Sequence, residues 1–165
     1  MDTATFYTTV SAISFTLLGL WWVVVQTREE WRRIPARRRM AYVVSLHFLL
    51  PGAMSVLSLI APDVTFLWRV TFATAGILGV IGAITILRTV REEYDAPRAA
   101  RIIEWIAIPI YALVTIVALV PELLTNLESE LKPLQIEGLI LTILIILGVQ
   151  LAWILMVEPT RESLS

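Results

Sequence analysis

The sequence predicts an all-α, polytopic membrane protein with five transmembrane helices, and three observations carry that expectation. Hydrophobic residues make up 58% of the 165 and charged residues only 16%. The mean hydropathy of +0.79 lies outside the usual range for a soluble domain of this size. Five apolar runs recur, near 6–26, 40–60, 67–87, 103–120 and 138–157, each long enough, at about 1.5 Å per residue, to cross about 30 Å of hydrocarbon. The remaining polar residues are too few to cover a soluble core built from five such helices.

Span 1 carries a seam of small residues, Thr5, Thr9, Ala12, Thr16 and Gly19, whose alternating spacings of four and three suit a left-handed helix crossing. The segment after it, "TREEWRRIPARRR" at 27–39, holds Arg28, Arg32, Arg33, Arg37, Arg38 and Arg39 against Glu29 and Glu30. Span 2 places His47, Pro51, Ser55 and Ser58 on one face. Pro51 lacks the N–H that would serve the carbonyl of His47. After the short "APD" connection, span 3 runs from Arg69 to Arg88, nineteen residues apart. That is about 28 Å, so both arginines are expected to snorkel to the two membrane interfaces.

Thr71, Ala75, Gly79 and Ala83 recur every fourth residue of span 3 and form a helix-packing face. It serves either packing within the chain, a subunit interface or a pore lining. A second basic connection, "VREEYDAPRAAR" at 90–101, leads to span 4, where Pro109 frees the carbonyl of Trp105. In 121–131, Leu123, Leu124, Leu127 and Leu131 share a helical face, which reads either as a short outer interfacial helix or as an irregular loop. The fifth span covers 135–158.

Charge placement orients the chain. Eleven of the thirteen cations flank the same ends of the spans, and basic connections stay cytoplasmic. The amino terminus is therefore expected outside and the carboxyl terminus in the cytoplasm. "MDTATF" has no positive n-region, so no cleavable signal is expected. The predicted location is the plasma membrane, as a cell inner membrane protein of a prokaryote, because arginine outnumbers lysine twelve to one. Trp21, Trp22, Trp68, Trp105 and Trp153 lie near span ends and read as interfacial anchors.

"REEW" at 28–31 and "REEY" at 91–94 are offset by 63 residues, and Ala12/Ala75 and Gly19/Gly82 match at the same offset. This suggests two parallel two-helix repeats, 5–62 and 68–121, plus a fifth helix. Chance likeness of cytoplasmic span ends competes with that reading.

Few polar residues penetrate deeply. His47 and Gln150 each lie about 12 Å from the inner boundary. With Tyr111, Ser55 and the kinks at Pro51 and Pro109, they form a candidate polar intramembrane site or constriction. In the plainer reading His47 and Gln150 hydrogen-bond each other, or a nearby carbonyl, as structural glue. Glu104 is the one carboxylate read as near a span and open to being drawn inward, and it sits one turn from Arg101.

Acidic residues and lysine are missing from the span centres, which disfavours proton-coupled transport unless Glu104 or His47 serves, and disfavours a retinal Schiff base. One histidine and no cysteine cannot build a zinc site, and no phosphate loop or activated nucleophile is visible. The expectation is therefore a non-enzyme without cofactor or metal. It is either a small homo-oligomeric channel or facilitator for an ion or small solute, or a non-catalytic accessory or assembly subunit of a membrane complex. Its partners are the lipid bilayer, with anionic headgroups at Arg32, Arg33, Arg37, Arg38 and Arg39, and further copies of itself, and no nucleic acid.

Overall fold

The computed structural model describes residues 3–60, 64–93, 103–120 and 133–157, and every regular element among them is a helix. In chain order these are α1 (Thr3–Thr27), α2 (Glu29–Arg33), α3 (Pro35–Ile60) and α4 (Thr65–Glu93). A π-helical turn, Ile103–Ala107, then leads directly into α5 (Ile108–Leu119), and α6 is Pro133–Val157. The fold is all-α. The expected outer helix at 121–131 lies outside the described residues, as do the side chains of Arg32, Trp68 and Glu104.

The helices α1, α3, α4 and α6 are each long and apolar enough to cross a membrane, whereas the apolar stretch Trp105–Leu119 is shorter. With its π turn this fourth segment spans about 25 Å. The π turn has a local cause. Pro109 lacks an N–H and its ring crowds the carbonyl one turn earlier, a misfit that a wider turn absorbs.

Helix α3 begins at Pro35, a residue suited to the first helical position. Arg37, Arg38 and Arg39 therefore ride on helix and not on a loop, which moves the expected start of span 2 back by about a turn. The short α2 is held by Trp31, which is fully buried with its ring 5.7 Å from that of Trp21. Trp21 in turn donates its indole N–H to the carbonyl of Ala41 on α3, at 2.9 Å. Trp21 is thus a core residue and not a lipid anchor. Trp22, Trp105 and Trp153 do face outward.

Close contacts define alternating helix directions. Ser14 meets Gly52 and Trp21 meets Ala41, so α1 and α3 are antiparallel. Gly148 on α6 meets His47 and Phe48, and Gly138 meets Phe6 of α1. Gly79 and Gly76 receive Tyr111 and Thr115 of α5, and Arg69 donates to the carbonyls of Ala118 and Leu119. Arg69 therefore caps the carbonyl end of α5, where cations are favoured. Helix α3 is central, touching α1, α2, α4 and α6. Half of its apolar window (50%) is buried, against 22% for the peripheral α1.

The small face of α4 is used within the chain. A Cβ added at Gly79 would overlap the Tyr111 ring, while one added at Gly19 would meet nothing within 4 Å. Ala75 and Ala83 are buried on the same helix, and the Thr71 hydroxyl turns back to the carbonyl of Leu67. Gly79→Ala should therefore lower stability by about 1–3 kcal/mol through overpacking. Gly19→Ala should be neutral or gain up to about 1 kcal/mol from helix propensity. Thermal unfolding in detergent compares the two.

Candidate functional site

The five most buried polar or charged side chains among the described residues are Ser14, His47, Ser55, Ser58 and Glu137. They come from α1, α3 and α6, three helices that all touch one another. Each arrives on a packed face. Glu137, Leu141, Leu144, Gly148, Leu151 and Leu155 recur at spacings of four, three, four, three and four, and all are buried. On α1 the buried series is Tyr7, Val10, Ser14, Leu18 and Trp21.

Their depths follow from the helix rise and the glycine contacts. Gly148 lies against His47. Glu137 is eleven residues before Gly148, and Ser58 eleven after His47, on antiparallel helices. Glu137 and Ser58 therefore share a level about 16 Å from His47. Between them come Ser14, set by its contact with Gly52, about 7 Å from His47, and Ser55 about 4–5 Å beyond. The result is a ladder of buried polar groups from the His47 level to one end of the bundle.

Several rungs have unused hydrogen-bonding capacity. The Nδ1–H of His47 donates to the carbonyl of Val43 at 2.9 Å, while its Nε2 has no partner among the described residues. Both carboxyl oxygens of Glu137 and the hydroxyl of Ser14 are likewise without one. Ser55 and Ser58 donate to the carbonyls of Pro51 and Met54 on their own helix, at 2.7 and 2.9 Å. Each hydroxyl oxygen keeps acceptor capacity. Glu137 lies close enough to Tyr7 to act electrostatically on its phenol. Among the described residues no three metal-ligating side chains come together.

Of the predicted site, the structure places Tyr111 against His47, Ser55 buried about 12 Å further along α3, and Gln150 apart from both. Tyr111 meets His47 edge-on, with ring centroids 5.4 Å apart. Gln150 lies on the exposed side of α6, because Gly148 is the residue that α6 presents to the histidine. His47 and Gln150 are not paired, and the Nδ1–H of His47 goes to the carbonyl of Val43, the other partner that the plainer reading allowed. Pro51 is buried within α3, whereas Pro109 is exposed. The expected seam of α1 also faces away from the bundle: Thr5, Thr9, Ala12, Thr16 and Gly19 are all exposed. Thr9 and Thr16 bond the carbonyls of Thr5 and Ala12, so they can face lipid without a partner helix.

Sequence reasoning missed Glu137 and Ser14. The signal for Glu137 was the six-member periodic face above. Glu137 directly precedes the apolar run 138–157, so hydropathy alone leaves it outside that run. No protein-family model matches the chain, and no curated protein or solved structure is found similar to it.

Burying a carboxyl without hydrogen bonds costs stability, so its removal should restore some. Glu137→Leu should raise the unfolding temperature in detergent, by a change worth about 1–3 kcal/mol. Gln150→Leu should stay within about 0.5 kcal/mol of wild type. A marked loss of stability in Glu137→Leu would mean that the carboxyl is structural.

Proposed function

We propose that this chain is a small proton facilitator of the plasma membrane, conducting through the polar seam buried among α1, α3 and α6. The single observation that carries the reading is Glu137, fully buried with neither oxygen hydrogen-bonded among the described residues. Ionisable groups inside membrane bundles mark ion and proton pathways. This adds Glu137 to Glu104 and His47, the groups that the sequence leaves open for proton-coupled transport. It also shifts the route from the space between subunits to the interior of each one, because His47 is enclosed within the bundle.

The roles follow from the chemistry. Glu137, two residues inside the start of the apolar span at Gln135, would take up the proton near that end of the bundle. Ser58, Ser55 and Ser14 would relay it, each hydroxyl able to accept one proton and pass on another. Steps of about 4–7 Å suit one bridging water apiece. His47 would take the proton at Nε2, its Nδ1–H staying on the carbonyl of Val43, and would give the proton up again from Nε2 to water on the basic side. Packed apolar side chains between the rungs exclude hydrated ions, which favours protons over larger solutes. With the basic end in the cytoplasm, Glu137 would face the outer side. Assembly into a homo-oligomer and contact with anionic lipid belong to the same reading.

A second reading has an observation of its own. The outward stripe of α1, open around Gly19, suits close approach of another transmembrane helix. It supports a non-catalytic accessory or assembly subunit. Proton flux into liposomes with an imposed potassium diffusion potential separates the two. The purified chain should acidify the lumen, with Glu137→Gln reducing the rate at least about tenfold if proton uptake limits it. Flux no greater than in empty liposomes would sink the facilitator reading and leave the accessory one. A discrete oligomer in detergent is expected for the first and a monomer for the second.

A further inference from the structure

The buried face of α6 leaves the opposite side of that helix to the membrane. There Leu139, Ile143, Ile146, Gln150, Trp153 and Val157 recur at spacings of four, three, four, three and four, and all six are exposed. At about 100° per residue they fall within about 40° of the line diametrically opposite Gly148. Any helix packed on one side has an outer stripe. The polar member singles this one out.

Gln150 lies seven residues inside the end of the span at Val157, about 10 Å, which is farther than its side chain extends. Hydroxyls that α1 exposes, Thr9 and Thr16, are satisfied by carbonyls of their own helix. No hydrogen bond with the described residues does the same for the carboxamide of Gln150. Its two N–H donors and its oxygen need a partner, because an amide left alone in hydrocarbon is costly. The helices that pack on α6 stand on its other side.

A second copy of this chain supplies the partner. A carboxamide both donates and accepts, so it is complementary to itself across a twofold axis. Two copies inserted in the same sense have that axis along the membrane normal, and their α6 helices run parallel. Each residue of the stripe then meets its own counterpart. The 3.5-residue repeat puts Ile143, Gln150 and Val157 at one heptad position and Leu139, Ile146 and Trp153 at the other. β-Branched residues on either side of one polar residue favour two strands held in a single register.

We infer that the outer face of α6 is the interface of a parallel homodimer, in which the two Gln150 carboxamides hydrogen-bond to each other. The inference rests on the homo-oligomer of the facilitator reading and gives it a surface. It asks nothing of Glu137, which lies on the other side of α6.

Energy transfer between donor- and acceptor-labelled full chains, diluted in phosphatidylcholine vesicles, tests it. Wild type should follow a two-body association curve. Gln150→Leu should need about tenfold higher density for half-association, and Gln150→Asn, which keeps the carboxamide, should recover part of the loss. Ile116→Ala, on the exposed side of α5, should match wild type. Where both are monomeric, Gln150→Leu should unfold as wild type does, so that a lost dimer is not a lost fold. The chain has no cysteine of its own, so oxidation should link Ile146→Cys into a dimer and leave Ile116→Cys unlinked. A chain monomeric at every density, an unchanged curve for Gln150→Leu, or equal linking of the two cysteine variants would overturn the interface. Dimers without proton flux would leave the interface standing and remove the facilitator reading.

Discussion

Close contact at glycine sets the geometry on which everything else here depends. Lipid tails are as apolar as leucine, so helices in a bilayer gain little by hiding hydrophobic surface from one another. They gain by approaching closely. Gly148 against His47 and Phe48, Gly79 against Tyr111, Gly138 against Phe6 and Gly52 against Ser14 each admit a bulkier side chain where a Cβ would stand. Because these contacts fix the register of α6 on α3 and of α1 on both, they also decide which polar residues are turned inward. Glu137 is turned inward beside Gly138, which docks on Phe6, and on the same face of α6 as Gly148.

The interior polar groups are costly by the usual standards of membrane packing. A hydroxyl in hydrocarbon ordinarily bonds its own helix one turn back, as Ser55, Ser58, Thr9 and Thr16 do. Ser14, the Nε2 of His47 and Glu137 depart from that habit, and they occur on mutually packed helices. Replacing them with apolar residues of similar size would make a drier and more ordinary bundle. They stand at successive levels along three helices that pack on one another, and not on scattered faces.

The helical class, the positions of four long spans and the gathering of arginines at one end of the bundle were legible in the sequence, because length, hydropathy and charge act locally. The site was only partly legible. His47 and Ser55 stood out as polar residues deep in a span, and Tyr111 shared their level. Gln150 looked equivalent by depth, yet depth says nothing of the angle around the helix axis, and two residues from Gly148 the side chain points away. Glu137 shows the opposite case: its angle is right, but it stands at the very edge of the apolar run 138–157, where hydropathy gives it no weight. On α1 the small residues drew attention as a seam, whereas the packed face is the larger one through Tyr7, Val10, Ser14, Leu18 and Trp21.

Helix α3 joins two features of this fold. Its side toward α1 and α6 carries the hydroxyls and the imidazole, and its side toward α4 borders an open groove that Arg38 and Arg39 help to line. Val43 belongs to both, since its carbonyl accepts the His47 N–H and its side chain lines the groove. The ring of Trp21 pins the neighbouring turn through Ala41, whose carbonyl also receives the hydroxyl of Ser45. The backbone from Ala41 to His47 is thus tied to the core on one side and open to lipid on the other. About two turns of helix, from Arg39 to His47, separate the arginines of the basic end from the first buried polar group of the bundle.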